Sequence, residues 1–402
     1  MQTRGLSDRN VWIVVAAAAG LMALSVPAAI ALGVRFTYTV RTVTAGGLLL
    51  GALSGAIGSF AVLRKQSLLG DALSHAALPG VGIAFLVAGR HLGALLIGAA
   101  AASLLGVWFI SAITRTTRLK QDSAMGIVLA GWFAIGIGIL AFIQQRPDAS
   151  QAGLDTFIFG QAASIVESDV RLLGAVSAGV LAILVLNWKE FKLVTFDPDF
   201  ARANGYRVRL ITAVLLGLIV VAIVLGLQLA GVVLMVGLLI APGIAARQWT
   251  NRLEQMVVLA AIIGATAGGV GSIASALDTN LPTGPMIILA VSAFVIASLL
   301  LAPGRGVVWA LVRRRRDRTR FAASNVLKTA YRYAVGHGDP RLPVSREFLV
   351  GVVGPSAKKG IAELRASEDL GLSDDGYVLT ERGVERAQRE EARRGGEHRA
   401  MA

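Results

Sequence analysis

Ten runs of apolar residues, each close to the length that crosses a bilayer, leave this chain few folds to choose from. They fall at 11–33, 42–63, 67–89, 92–114, 122–143, 169–188, 208–228, 231–247, 256–277 and 283–303. A helix needs about 20 such residues to span the hydrocarbon. Inside it every backbone N–H and C=O must be satisfied without water, so the runs predict helices. The eighth run is short and the third carries ionisable groups, which sets the expectation at eight to ten spans of an all-α polytopic membrane protein. Composition agrees. The 402 residues are 55% hydrophobic and only 16% charged, with a mean hydropathy of +0.66. An ordinary soluble domain carries about 25% charged residues. Forty-six glycines suit helices whose backbones approach closely. Met1–Asn10 is short and polar and the run after it spans, so no cleavable signal peptide is expected. The absence of cysteine excludes disulfides, Cys-ligated zinc and iron–sulfur clusters.

Charge orients the spans. With a cytoplasmic N-terminus, the inner segments hold fourteen basic residues, among them Arg64, Lys65, Arg115, Arg202 and Arg209, and the outer segments at most five. This asymmetry follows the positive-inside rule and predicts both termini in the cytoplasm. The formal net charge of +14 is uneven. Residues 1–312 hold 20 Lys and Arg against 12 Asp and Glu, residues 313–320 (RRRRDRTR) hold 6 against 1, and residues 321–402 hold 13 against 12. A polybasic junction therefore follows the last span, where it would meet the anionic inner leaflet.

The third run, within LRKQSLLGDALSHAALPGVGIAF at 63–85, breaks the apolar rule. Asp costs about 2.5–3.5 kcal/mol at the centre of a membrane helix on insertion scales. Asp71 and His75 are four apart, so a helix puts them on one face. They read either as an ion pathway or as a structural pair that fixes the span. Counted at 1.5 Å per residue from Lys65, a straight helix puts Asp71 about 9 Å deep and His75 one turn deeper. Pro79-Gly80 invites a break in the same helix, as do Pro242-Gly243 and the stretch from Pro282 to Pro285. Broken helices line substrate paths in some transporters and serve plain packing in others.

Two loops stand out. The longest outer loop, 144–168, holds Asp148, Asp155 and Glu167, and reads as a cation mouth, a dock for an outside partner, or a solvated loop. The longest inner loop, 189–209, contains FDPDFARANGY. There Asp197 can cap a short helix with Pro198 at its first position, and Gly205 can end it.

With these stretches in view, the chain resembles a family. SLLGDALSHAALPGVGIAF closely matches the signature of permease subunits of zinc, manganese and iron ABC importers. FDPDFARANGY, LMVGLLIAPGIAAR and LPTGPMIIL fall where that family carries its coupling helix, its Leu-rich pre-proline span and its late outer loop. The likeness covers about residues 10–303. It implies a pore-forming subunit of a type II importer, working as a homo- or heterodimer with two ABC ATPase subunits and an extracytoplasmic metal-binding protein. It also implies that Asp71 and His75 line the path of a transported Mn, Zn or Fe ion, and that Phe196, Asp197, Pro198, Asp199, Phe200, Ala201, Arg202 and Gly205 contact the ATPase. The helix breaks lining the path would be Pro79, Gly80, Pro242, Gly243 and Pro282. The chain lacks G-x-x-x-x-G-K-[ST], so ATP would be hydrolysed by a partner. A carboxylate and an imidazole suit Mn(II), Fe(II) and Zn(II) alike, and two donors cannot complete a four- or six-coordinate shell.

After Arg320 the sequence turns soluble in character. Helices are expected at 321–335, 344–353, 356–365 and 381–394, with a two-stranded wing at 371–380 turning on Asp-Asp-Gly. This pattern and YVLTERGVERA resemble the winged helix of diphtheria-toxin-repressor-type regulators, which implies a docking or regulatory domain or a DNA-binding module. The expected division is a permease domain at 1–305, a linker at 306–320, a winged-helix-like domain at 321–395 and a tail at 396–402. The rival functions are an ATP-independent cation channel or secondary transporter, and a membrane-tethered regulator.

Overall fold

A computed structural model describes residues 2–66, 68–89, 91–145, 165–278, 281–303 and 305–400. They form two compact units, Met1–Gly306 and Val307–Ala402.

The first unit is helical among the described residues. Its helices are α1 (Gln2–Ala31), α2 (Tyr38–Leu63), α3 (Leu69–Ala88), α4 (Leu92–Thr116), α5 (Gln121–Gln144) and α6 (Glu167–Leu186). Two short helices follow, α7 (Trp188–Phe196) and α8 (Pro198–Ala203). Then come α9 (Val208–Trp249), α10 (Leu253–Ser275) and α11 (Thr283–Leu301). Among the described residues, nine helices are long and apolar enough to cross a membrane, and their ends lie within a few residues of the apolar runs.

The seventh and eighth runs share α9, whose two arms meet at Gly231. That residue has φ 76° and ψ 170°, a conformation that L side chains resist. A Cβ on Gly226 would collide with the sulfur of Met235. In a straight helix nine residues separate by roughly 13 Å, so contact between these two means the chain doubles back. The second arm reaches only to Trp249, which explains the shortness of the eighth run.

The centre of the unit is α2 against α10, its two most buried spans. Cβ atoms on Gly47, Gly51 and Gly55 would meet the carbonyls of Gly268, Gly264 and Ala260 in turn. The two series run in opposite directions in steps of four, so the helices are antiparallel with their backbones touching. Small residues four apart allow that approach in a membrane, where lipid offers no hydrophobic drive for helix association. Around this pair, Leu50, Leu53, Ile57 and Phe60 of α2 join Leu69 and Leu73 of α3 and Ile219, Ile223 and Leu239 of α9 in one core.

The α2–α3 junction is a tight reversal. The Lys65 N–H donates to the Val62 carbonyl and the Gln66 N–H to that of Ala61, and Lys65 takes φ 56°. This paired pattern with a left-handed residue closes many helices, and glycine is its usual occupant.

The second unit opens with α12 (Val307–Gly336) and continues through α13 (Arg346–Val353) and α14 (Ala357–Ala366). A hairpin of β1 (Leu370–Ser373) and β2 (Gly376–Leu379) and a last helix, α15 (Glu381–Ala400), complete it. The strands pair antiparallel from Leu370 opposite Leu379 to Ser373 opposite Gly376, and Val344 bridges to Tyr377. Residues 306–320, expected as a linker, instead lie largely in the first half of α12. Arginine is a good helix former, and the basic segment runs without interruption into residues 321–336 of the same helix. The expected helix at 344–353 begins later, because Val344 joins the hairpin and Ser345 caps α13 by accepting from the Phe348 N–H at 3.2 Å.

Candidate functional site

The chain closes α2 at Leu63, turns through Lys65 and restarts at Leu69. Asp71 therefore sits in the first turn of α3, not partway along a helix that begins at Lys65. This is a correction to the depth counted on a straight span. It is also a favourable place for a carboxylate, since the first turn presents unpaired N–H groups and the positive end of the helix dipole.

His75 lies one turn on, with Nε2 3.3 Å from Asp71 Oδ1. The side chains are 18% and 37% exposed for His75 and Asp71, so both stay reachable from a neighbouring space. The ring of Phe133, on α5, meets the imidazole edge to face with centroids 4.9 Å apart and an interplanar angle of 82°. His75 Nδ1 is buried without a hydrogen-bond partner. The imidazole is thus held by an aromatic wall on one side and a carboxylate on the other. Among the described residues, no group of three or more His, Cys, Asp and Glu comes together that could hold a metal ion. The pair presents one oxygen donor and one nitrogen donor, an incomplete shell that suits passage better than permanent retention.

The expected helix breaks resolve differently. Helix α3 runs unbroken through Pro79 and Gly80. Pro79 has no N–H to offer the His75 carbonyl four residues back, and membrane helices tolerate this. Gly80 serves packing, since a Cβ there would strike the carbonyl of Gly98 on α4. The second arm of α9 likewise continues through Pro242, and Gly243 lets it approach Ser59 and Val62 of α2. Pro282 caps the start of α11 and does not interrupt it. The break that does occur is Gly231.

The inner-loop motif folds as two short helices. Asp197 Oδ1 accepts from the Phe200 N–H at 2.9 Å, Pro198 opens α8, and Gly205 leaves the helix at φ 80°. Ala201 is fully buried among Val194 and Val208. Phe196 and Phe200 remain 55% and 56% exposed, and Asp199 and Arg202 pair at 2.6 Å on the surface. The motif is therefore anchored by one alanine and presents two aromatic rings outward. Of the outer loop, Asp148 and Asp155 lie outside the described residues. Glu167 begins α6, and its N–H donates to the Tyr38 hydroxyl at 3.0 Å.

Phe133 escaped the sequence reading, because an aromatic beside Trp132 in an apolar span carries no pattern of its own. Gln66 escaped it too, and only the turn at Lys65 shows that it is buried.

Residues 36–302 match the ABC 3 transport family. The chain is 47% identical over 290 residues to the manganese transport system membrane protein MntC of Bacillus subtilis, covering 72% of this chain and 67% of that one. It is also 47% identical over 280 residues to the zinc transport system membrane protein TroC of Treponema pallidum, covering 69% and 94%. The solved structure of PsaBC from Streptococcus pneumoniae in complex with Fab is similar at a TM-score of 0.61 and 28% identity, over 70% of this chain and 97% of that one.

Proposed function

The chain belongs to the ABC 3 transport family, and on that premise we propose that it is the permease of an ATP-driven importer of divalent transition-metal ions. It is a multi-pass membrane protein and not an enzyme, with ATP hydrolysed by a partner ATPase. The cargo is Mn(II) or Zn(II), the metals in the names of its relatives, and the same donors would accept Fe(II). The observation that carries the reading is the Asp71–His75 pair, two metal-compatible donors at the start of a membrane helix with no third His, Cys, Asp or Glu beside them among the described residues. A second permease chain, backbone carbonyls and water would complete the shell in transit. An extracytoplasmic metal-binding protein would deliver the ion, and the exposed Phe196 and Phe200 of the α7–α8 elbow would seat on the ATPase. Loop charge supports cytoplasmic termini. Uptake of radiolabelled Mn(II) into vesicles holding the complete transporter, with Zn(II) and Fe(II) as competitors, tests the reading. An absence of ATP-dependent uptake of all three ions would refute it.

For residues 321–395 we propose a winged-helix-like docking or regulatory domain. The support is the order of α13, α14, the β1–β2 hairpin and α15 around one core. The near-neutral charge of residues 321–402 disfavours the DNA-binding alternative, although Lys358, Lys359 and Arg365 of α14 are exposed. A mobility-shift measurement at low salt decides between them.

A further inference from the structure

At the end of the bundle that carries α8, a cavity of about 430 Å³ opens between α2, α4, α5, α7 and α9. Among the described residues, four arginines line it, Arg64, Arg115, Arg202 and Arg209, and no acid does. Arg202 pairs with Asp199 on its outer side. The other three come from three separate elements, the end of α2, the last turn of α4 and the first turn of α9. A cluster of cations that converges from distant parts of the chain repels itself, and although solvent screens the exposed Arg115 and Arg209, the half-buried Arg64 favours an entering counter-charge.

The polar atoms within the wall point to the same need. Arg64 Nη1, Thr195 Oγ1 and Gln66 Oε1 are all buried and all lack a hydrogen-bond partner. Gln66 is only 4% exposed, and its amide can turn to offer either N–H or oxygen. Unsatisfied buried polar atoms are costly, and a native protein rarely keeps three along one cavity unless something fills it. Burial lowers the pKa of the Arg64 guanidinium. Helices α5 and α9 also begin here, at Gln121 and Val208, and direct their N-terminal N–H groups toward the same end.

From this geometry we infer a binding site for a phosphate-bearing anion, held by Arg64, Arg115 and Arg209 with Thr195 and Gln66. Guanidinium forks match phosphate oxygens two at a time. The site is wrong for a divalent cation, which four arginines would repel, so it is separate from the Asp71–His75 pair. The deeper wall is more apolar, with Val107, Ala213 and Leu216 beside the hydroxyls of Ser111 and Thr212, one or two turns inside the arginines. That order, cationic at the helix ends and apolar behind, fits a lipid headgroup phosphate with its glycerol end inward, and a free phosphate uses the same donors.

Thermal unfolding of the purified full chain in an uncharged detergent tests the site, at constant ionic strength. The probes are inorganic phosphate, phosphatidylglycerol and phosphatidylcholine. The expected result is a saturable rise in unfolding midpoint with phosphate or phosphatidylglycerol and none with phosphatidylcholine. In R115Q/R209Q the half-saturating concentration should rise at least about tenfold, as expected for the loss of two charge-assisted contacts. A response to inorganic phosphate identifies a small-anion site, and a response to phosphatidylglycerol alone identifies a headgroup site. No shift with either probe, or an equal shift in wild type and variant, overturns the proposal. If R115Q/R209Q does not fold, Thr195→Val is read in its place, and an unchanged half-saturation there overturns it equally.

Discussion

His75 Nε2 stands 3.3 Å from Asp71 Oδ1, one helical turn along α3, with the ring of Phe133 closing the far side of the imidazole. The carboxylate orients the imidazole and the aromatic edge limits its rotation, so the two donors keep a fixed relation. Replacing either by alanine should lower metal uptake by at least about tenfold, the scale on which a metal site responds to loss of a ligand or of its orienting partner. Asp71→Asn should be less damaging than Asp71→Ala if orientation matters more than charge. Uptake in reconstituted vesicles measures both, and normal uptake at normal protein levels would remove the pair from the path.

Phe133→Leu keeps the apolar volume but removes the edge-to-face contact with His75. Such aromatic pairs contribute about 0.5–1.5 kcal/mol beyond their buried area. The variant should stay folded, with an unfolding midpoint close to wild type, yet transport metal with a weakened apparent affinity. Concentration-dependent uptake separates that effect from a loss of folded protein.

Gly51 and Gly264 bring the backbones of α2 and α10 into contact. A side chain at either position must push the helices apart. Gly51→Leu should destabilise by about 1–3 kcal/mol or more, as overpacking of a tight core does. Gly126→Ala on α5, where a Cβ meets nothing within 4 Å, should be near neutral. Thermal unfolding in detergent compares the two.

Asp197 caps α8 through the Phe200 N–H. Asp197→Ala should cost the helix about 1 kcal/mol. Asp197→Asn or Asp197→Ser should restore most of it. The effect should appear as reduced coupling of ATP hydrolysis to uptake with the fold retained, measured as ATPase activity per ion imported.

Glu390 of α15 sits between two helices of the second unit. Burial pushes its carboxyl up, but hydrogen bonds from Ser324 and Lys328, with the charges of Lys328 and Arg386, hold the pKa below its ordinary 4.5. A depressed folded-state value adds stability above the unfolded pKa, and that stability is lost as pH falls through the folded one. Protection of α12 and α15 in the full chain should therefore decline on acidification below about pH 4.5, and Glu390→Gln should flatten the decline. Hydrogen exchange at graded pH reads the difference.

Much of this protein was legible in its residues. Span positions follow from apolar length, because a bilayer accepts only segments that satisfy their own backbone. The α8 cap follows from Asp-Pro, and the β-turn from Asp-Asp-Gly, because both are local geometry. Asp71 and His75 stood out because ionisable groups are costly in an apolar run. Other features depended on contacts between distant parts of the chain. Pro79-Gly80 looks like a break, yet Gly98 of α4 turns it into a packing site. Gly231 looks like any boundary glycine, yet the collision of Gly226 with Met235 makes it the apex of a hairpin. The helical continuity of 307–320 follows its run into the packed second half of α12. The gathering of Arg64, Arg115 and Arg209 around one cavity required several chain reversals, and local sequence encodes none of those distances. Local chemistry thus determined which segments cross the membrane and where donors sit, while tertiary packing decided which of them meet, because contact between helices depends on shape across the whole bundle.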